Sequence, residues 1–210
     1  MKHLFIDCET MGTNTYDCAV IDFSAFVLDT DIILSNNPYT LKTIVDVKRF
    51  KLNIEKQVAK HGFKVYSDTI KFWQEQPDSV RKRIAPSKDD LTLEDFSHQF
   101  LAYLSQYGKI DYWWSRNNAF DPLILWRLFE SAGKSKLIYE YLLHWKLRDI
   151  RTFIDAKLDF PIKNGFVPVQ DEDFWNKVFQ EHDSSWDVLA DVLRFQAITR
   201  AEHDLPGVTR

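Results

Sequence analysis

Two carboxylates stand one residue apart near the beginning of the chain, within the apolar stretch of residues 4–10 (LFIDCET). Successive side chains of a strand point to opposite faces, so Asp7 and Glu9 share one face. Held side by side on a buried strand, they repel each other and lose hydration. A hard divalent cation would compensate both effects, because such ions prefer carboxylate oxygens as ligands. The pair therefore predicts a metal site at the end of a first strand.

A third carboxylate, Asp121, lies where a strand predicted for residues 110–115 ends and a helix predicted for residues 120–132 begins. Ligands of α/β folds usually bind at the carboxyl ends of sheet strands. Taken alone, Asp121 is more simply explained as a cap that accepts hydrogen bonds from the free N–H groups of the helix start. The small and polar residues before it, RNNA at 116–119, favour an exposed loop beside a site.

His182 and Asp187 are the third candidate pair, five residues apart. Five residues turn about 140° around a helix, so one helix would not direct both side chains inward. They converge only if His182 precedes the helix. Ser184 or Ser185 would then cap it, which leaves Asp187 in the first turn. Asp191, one turn further on the same face, is either a rival ligand or, more simply, a carboxylate that lies behind the ligands or in solvent.

The elements that must position these residues follow from the apolar periodicity of the chain. Residues 18–28 and 39–47 are predicted to be strands that form an antiparallel meander with the first. Helices are predicted for residues 52–60, 67–75 (capped by Ser67), 77–84, 149–156, 171–179 and 184–202, and for a segment that Thr92 opens and Gly108 ends. Residues 158–169 are predicted to be a loop. Strands followed by strand–helix alternation indicate an α/β fold, a mixed sheet flanked by helices, in one domain over residues 1–210.

Composition narrows the class of protein. The chain has two cysteines, a net charge of −4, and no long apolar segment at its N-terminus or elsewhere. We therefore expect a soluble cytoplasmic protein without disulfides or a membrane span. Charge is uneven, because residues 42–88 hold 12 basic and 5 acidic residues. Such a basic flank is typical of a groove that follows phosphates, and equally of two ordinary solvated helices.

Together, Asp7-x-Glu9, Asp121 and His182-x4-Asp187 resemble the DEDDh family of 3′–5′ exonucleases, also called DnaQ-like. The resemblance extends to residues 5–12 (FIDCETMG), 67–73 (SDTIKFW), 148–152 (RDIRT) and 182–184 (HDS), which look like the RNase T-like members and those of T-even bacteriophages. It covers nearly the whole chain, from about residue 3 to 203. One departure is the bulky Trp186, where many members have a small residue.

The resemblance implies an RNase H-like fold and a set of site residues. Its four metal-binding acidic positions match Asp7, Glu9, Asp121 and Asp187, which would hold two divalent cations, Mg²⁺ or Mn²⁺. His182 matches the general base. Thr10 and Met11 follow the carboxylate pair, where such enzymes contact the terminal nucleotide; ordinary packing at the end of a strand is the alternative explanation. Phe120 and Trp73 are candidates for stacking on bases, although each is more simply explained as a core residue.

The sequence thus predicts a metal-dependent 3′–5′ exonuclease that releases mononucleotides from single-stranded DNA. An RNase T-like exoribonuclease is the nearest alternative, because no residue reports on contacts to the 2′-hydroxyl. A different class is a non-catalytic nucleic-acid-binding module. The presence of all five candidate catalytic residues, the four carboxylates and the histidine, argues against that class.

Overall fold

A five-stranded mixed sheet lies at the centre of the computed structural model, which describes residues 1–158 and 178–203. The strands are β1 (Lys2–Thr10), β2 (Val20–Asp29), β3 (Lys48–Lys51), β4 (Tyr112–Ser115) and β5 (Leu147–Asp149), in the spatial order β3-β2-β1-β4-β5. The first three pair antiparallel, and β4 and β5 continue the sheet in parallel. The mixed sheet predicted from the sequence is therefore confirmed.

Helices cover both faces of this sheet. Those of the described residues are α1 (Thr30–Ile33), α2 (Ile54–His61), α3 (Ser67–Gln74), α4 (Asp78–Ile84), α5 (Leu93–Ser105), α6 (Asp121–Ser131), α7 (Ser135–Tyr141), α8 (Ile150–Leu158) and α9 (Ser184–Glu202). Two 3₁₀ segments, Leu41–Asp46 and His144–Lys146, precede β3 and β5. Within this part of the chain, no helix has both the length and the apolar character of a membrane span.

Alternation along β1 divides the core between the two faces of the sheet. Leu4 and Ile6 pack with α5 and α6 in a cluster rich in phenylalanine, whereas Phe5 packs with α8 and α9 on the other face. By the same alternation, Asp7 and Glu9 lie on the α9 face. The sheet therefore presents both carboxylates to the helix that carries Asp187.

The third strand differs from the prediction. Residues 39–47 were expected to be extended, but Leu41–Asp46 forms a 3₁₀ segment, and the strand that pairs with β2 is Lys48–Lys51. The difference arises at Thr40, the N-cap of the 3₁₀ segment. Its side chain accepts a hydrogen bond from the amide of Lys42, and the side chain of Thr43, at the N3 position, accepts one from the amide of Thr40. Such a capping box stabilises a helical turn against a strand.

Helix caps also differ from the prediction. Tyr66, not Ser67, is the N-cap of α3, and it makes no side-chain cap hydrogen bond. The N-cap of α9 is Asp183, whose carboxylate accepts from the amide of Ser185, so neither predicted serine caps that helix. The helix predicted for 171–179 and the loop predicted for 158–169 fall almost entirely outside the described residues.

Candidate active site

Three carboxylates meet between β1 and α9. Oxygen atoms of Asp7, Glu9 and Asp187 all lie within 4.8 Å of one another. Asp7 and Glu9 come from one face of β1, and Asp187 comes from the first turn of α9. The structure therefore brings together side chains that are about 180 positions apart in sequence, as the sequence predicted.

Asp121 is held against the same strand. It is 4% exposed and is the first residue of α6, and its Oδ1 accepts hydrogen bonds from the amide and the thiol of Cys8, both at 3.2 Å. The β1–β4 ladder runs only as far as Phe5, so the Cys8 amide lies beyond its paired part. Asp121 is outside the group of three oxygens within 4.8 Å, yet its charge acts directly on Asp7.

Burial leaves these four carboxyl groups with raised pKa values. The pKa of Asp7 is raised first by burial and then by the charges of Asp121 and Asp187, and that of Glu9 first by burial and then by Asp22. Burial also raises the pKa of Asp121 and of Asp187 to about 7. Acids with this much uncompensated charge attract a cation, and an all-oxygen donor set suits Mg²⁺ or Mn²⁺.

His182 lies on the segment immediately before α9, as the sequence predicted. Its backbone has φ of 58°, the one positive φ outside glycine among the described residues. Its ring packs edge-on against Phe72 at 5.0 Å and Trp73 at 6.1 Å between centroids, both from α3. A non-glycine residue in this conformation is strained, and such strain occurs often at functional positions.

A family model places this arrangement among known proteins. The model described as a 3′–5′ exoribonuclease Rv2179c-like domain matches residues 2–195. The chain belongs to this family. It is a 3′–5′ exonuclease by that membership and by its similarity to a curated relative, the exodeoxyribonuclease of Enterobacteria phage T4, which is 28% identical over 95% of this chain and 90% of the relative.

Solved structures of exonuclease I have the same fold. The apo form superposes with a TM-score of 0.59 at 15% identity and covers 95% of this chain. The Escherichia coli enzyme in complex with a dT13 oligonucleotide labelled 5cy superposes with a TM-score of 0.61 at 14% identity. The chain spans about two fifths of the length of these proteins, 42% and 41% respectively. The likeness supports the RNase H-like, DnaQ-like fold that the sequence resemblance implied.

A buried acid behind Glu9 explains the serine of the HDS motif in this exonuclease. Asp22 faces Glu9 across the β1–β2 ladder and is fully buried. Arg49 of β3 pairs with it, and the hydroxyl of Ser184 donates to its Oδ1 at 2.5 Å. Ser184 also lies 2.7 Å from the hydroxyl of Ser24. These bonds fasten the start of α9 to β2 and so fix Asp187 over Glu9.

Asp191, the sequence's rival ligand, is engaged elsewhere. Its Oδ1 accepts from Arg116 and, at 3.0 Å, from Arg194. It does not belong to the three-carboxylate group, although its charge raises the pKa of Asp187. The structure therefore favours the interpretation of Asp191 as a carboxylate that lies behind the proposed ligands. Two arginines, Arg116 and Arg194, balance its charge.

Arg83 of α4 is the functional candidate that the sequence did not single out. Its guanidinium donates to the carbonyl of His182 and to Gln180 Oε1 at 3.2 Å, and it lies 3.1 Å from the carboxylate of Asp183. The Arg83 side chain is 12% exposed, and its charge lowers the pKa of Glu9 against the stronger raising effects. The triplet RKR at 81–83 is the only signal in the sequence, and it does not say which cation turns inward.

The predicted nucleotide contacts occupy different surroundings. Thr10 is buried, donates to the Gly12 carbonyl at 2.6 Å, and accepts from the Trp73 indole at 3.0 Å through its own carbonyl. Met11 lines a cleft of about 660 Å³ together with Trp73 and residues of α2 and α4. Phe120 is half-buried against the α5–α6 core, and Trp73 is 5% exposed. Trp73 is therefore a core residue, which is the simpler of the two explanations that its sequence position allowed.

Proposed function

We propose that this exonuclease removes mononucleotides from the 3′ end of single-stranded DNA, using two divalent cations, Mg²⁺ or Mn²⁺. The observation that carries the proposal is the approach of Asp7, Glu9 and Asp187 within 4.8 Å, with Asp121 held beside them by Cys8. These four carboxylates would hold the ions. Bound there, two cations would stabilise the charge on the attacking and leaving oxygens of a phosphodiester.

His182 is the proposed general base. Its place on the segment before α9, the positive φ of its backbone, and the aromatic wall of Phe72 and Trp73 support that role. A neutral ring nitrogen of His182 would take the proton from the attacking water, which raises the nucleophilicity of that water as the P–O bond forms. The ring would then pass the proton back to solvent or to the leaving oxygen.

Thr10, Met11 and Phe120 are the proposed contacts to the nucleotide being removed. Met11 lines the 660 Å³ cleft and is two residues after Glu9, which supports an apolar contact to the terminal base. The Thr10 hydroxyl donates to the Gly12 carbonyl and the Thr10 carbonyl accepts from Trp73, so Thr10 would fix the end of β1 against the sugar rather than donate to it with its hydroxyl. Phe120 adjoins Asp121 and is half-buried, so part of this residue remains accessible to substrate.

The choice between DNA and RNA rests on two relatives that differ. The full-length similarity to the phage T4 exodeoxyribonuclease supports DNA. The family model, whose description names an exoribonuclease, supports RNA as the second candidate. Discrimination requires a group that reads the 2′-hydroxyl, so it belongs to the sugar contacts near Thr10 and Met11.

Digestion of end-labelled single strands tests substrate, polarity and metal dependence together. A 5′-labelled DNA strand should give a descending ladder with Mg²⁺ or Mn²⁺, a 3′-labelled strand should release labelled mononucleotide at once, and a chelator should stop both. RNA of the same sequence should be cut more slowly. Faster digestion of RNA would transfer the proposal to the exoribonuclease.

A pair of chimeric strands sharpens that comparison. A DNA strand ending in one 3′ ribonucleotide, and an RNA strand ending in one 3′ deoxynucleotide, separate recognition of the terminal sugar from recognition of the strand behind it. If the terminal sugar determines the rate, the first nucleotide should leave the first chimera as slowly as it leaves RNA. It should leave the second chimera as fast as it leaves DNA.

Two substitutions test the site itself. Asp7→Ala and Asp121→Asn should abolish hydrolysis without loss of fold, because each removes a proposed ligand. Asp89→Asn, an exposed acid on the loop before α5, is the matched control and should retain full activity. Mg²⁺-dependent hydrolysis that survives in either site variant would refute the assignment.

We further propose that residues 1–210 act as one exonuclease domain in the cytoplasm. The family match to residues 2–195 and the single sheet support one domain. The two cysteines, Cys8 and Cys18, are both buried thiols, which supports a reducing compartment.

A further inference from the structure

A basic notch with an exposed tryptophan lies at the edge of the sheet, apart from the proposed active site. Its volume is about 310 Å³, and its lining includes Lys109, Asp111, Tyr112, Trp145, Lys146 and Arg148. We refer to these residues as the Trp145 notch. The 3₁₀ segment His144–Lys146 and strand β5 form one wall, and the beginning of β4 forms the other.

Trp145 is the exposed aromatic surface of the notch. It is 61% exposed, the largest exposed fraction of any tryptophan among the described residues. By contrast, three other tryptophans are buried and at most 6% exposed: Trp73, Trp113 and Trp114. An indole left in water costs free energy, and large exposed aromatic residues commonly mark a binding surface.

The cations around Trp145 are held by carbonyls and a ring. Arg148 donates to the carbonyls of Trp145 and Leu147 at 2.8 Å, and its guanidinium lies 4.7 Å from the centroid of Tyr112. Lys146 donates to the Ile110 carbonyl at 2.6 Å. Neither cation has a carboxylate within 4.0 Å in the described ranges, so these contacts orient the charges without neutralising them.

One carboxylate, Asp111, lies among these cations. It accepts from the Lys2 amide at 2.9 Å and lies 3.8 Å from the ammonium of Lys109. Its pKa is lowered first by that amide and also by the charges of Lys109 and Lys146. Three cations against one carboxylate leave the notch positive, although the whole chain has a net charge of −4. Positive charge beside an exposed aromatic ring suits a polyanion that carries bases.

We propose that the Trp145 notch binds the substrate strand upstream of the 3′ end, stacking one base on Trp145 and pairing phosphates with Lys146 and Arg148. This inference rests on the proposed exonuclease function, since the ligand is the same strand. Base stacking on aromatic side chains combined with a cationic groove is how proteins bind single strands without sequence preference.

The sheet register sets the length of strand that this contact requires. Leu147 pairs with Trp113, and Trp113 pairs with Leu4, which is three residues before Asp7; Trp145 lies two residues further back along the same direction. Two strand spacings of about 4.8 Å and a rise of about 3.3 Å per residue put the Cα atoms of Trp145 and Asp7 on the order of 18 Å apart. Stacked nucleotides rise about 3.4 Å each, so a strand that reaches from the cut to Trp145 needs at least about five nucleotides.

Binding of labelled oligo(dT) to the full chain in chelator tests the proposal without hydrolysis. Trp145→Ala should weaken a 12-mer by about 5–100-fold, the usual effect of losing one stacked base, and leave a 3-mer unchanged. Lys146→Ala and Arg148→Ala should each lower the salt dependence of 12-mer binding, by about 0.7 in the log–log slope. Arg148→Lys keeps the charge and should keep the slope.

Matched variants control for general effects. Tyr139→Ala removes another exposed ring, and Lys136→Ala another exposed lysine, both outside the notch. Circular dichroism of each variant checks the fold. Wild-type affinity of Trp145→Ala for the 12-mer, or equal weakening of the 12-mer and the 3-mer, would overturn the proposal.

Two further outcomes separate the possibilities. A labelled acidic peptide that binds in a Trp145-dependent manner, while the 12-mer does not, would assign the notch to a protein partner and overturn the strand. Trp145-dependent binding of the 12-mer without any metal-dependent hydrolysis would support the notch and refute the exonuclease reaction. The two proposals therefore fail independently.

Discussion

The guanidinium of Arg83 donates a hydrogen bond to the carbonyl oxygen of His182 and thereby ties α4 to the segment that carries the proposed base. The same group lies 3.1 Å from the carboxylate of Asp183, the N-cap of α9. Both side chains of this ion pair are nearly buried, at 12% and 9% exposure. Arg83 thus positions both the backbone of His182 and the beginning of α9.

Removing Arg83 should therefore reduce turnover more than substrate binding. We expect Arg83→Ala to lower kcat by about 10–100-fold, because a displacement of roughly 1 Å at a reacting group can cost about that much. KM for a single strand should change little. Arg83→Lys, which keeps the charge but not the forked geometry, should retain intermediate activity. Steady-state kinetics of the three proteins is the measurement.

Lys82→Ala is the matched control, since Lys82 is the exposed neighbour of Arg83 on α4. Thermal unfolding should accompany the kinetics, because an Asp183 left unpaired also costs stability, about 3–5 kcal/mol for a buried pair. Normal kcat in a folded Arg83→Ala protein would show that the contact to His182 has no part in the reaction.

His182→Ala should separate the reaction from metal binding. Loss of a general base typically costs about 10²–10⁴-fold in rate, so kcat should fall by that factor. The stabilisation of the fold by Mn²⁺ should persist, because His182 is outside the three-carboxylate group. Single-turnover digestion and thermal unfolding with and without Mn²⁺ are the measurements. His98→Ala, on the exposed face of α5, should behave as wild type in both, and a His182→Ala enzyme of normal rate would leave the base unassigned.

Local patterns were enough to predict where most of the proposed site residues lie. Alternation on one strand put Asp7 and Glu9 on one face, and the need for convergence put His182 before a helix and Asp187 in its first turn. These predictions depend only on strand and helix geometry, which a sequence carries directly. The mixed character of the sheet and its cover of helices followed from the order of strands and helices along the chain.

Contacts that depend on tertiary register could not be predicted. Three consecutive residues, Asp183, Ser184 and Ser185, can each cap a helix, and the cap falls to Asp183 because Ser184 bonds Asp22 across the interface. Arg83 was hidden for the same reason, since α4 reaches the α9 segment only in the folded chain. Strand β5 has three residues, too short for a periodic signal.

The raised pKa values predict how the metal-free protein responds to pH. Asp121 and Asp187 titrate at about 7 in the folded state, mainly through burial, against 3.8 ordinarily. The folded state keeps protons that the unfolded chain releases, so stability falls as pH rises from about 4 to about 7. Each group costs at most about 4 kcal/mol above that range. Urea unfolding in chelator should therefore show lower stability at about pH 8 than at about pH 5.

Asp121→Asn is the test of that cause. An amide carries no charge to bury, so the variant should be more stable than wild type at about pH 8, with a shallower dependence on pH, while it loses activity. Asp89→Asn, on an exposed loop, should follow the wild-type curve. A wild-type stability that does not change between the two pH values would contradict the raised pKa values.

Divalent cations should stabilise the protein unequally in different site variants. Asp7, Glu9 and Asp187 form the group within 4.8 Å, whereas Asp121 lies outside it, so the group of three is the stronger single-ion site. An ion at 100 times its Kd stabilises a fold by about 2.7 kcal/mol. Asp187→Asn should abolish most of the rise in Tm with Mn²⁺, and Asp121→Asn should retain part of it.

The rise in Tm with Mn²⁺ should be larger at about pH 8 than at about pH 5, because protons compete for the same oxygens. Equal loss in both variants would mean that all four carboxylates bind the ions as one unit, and no rise in the wild type would refute the metal site.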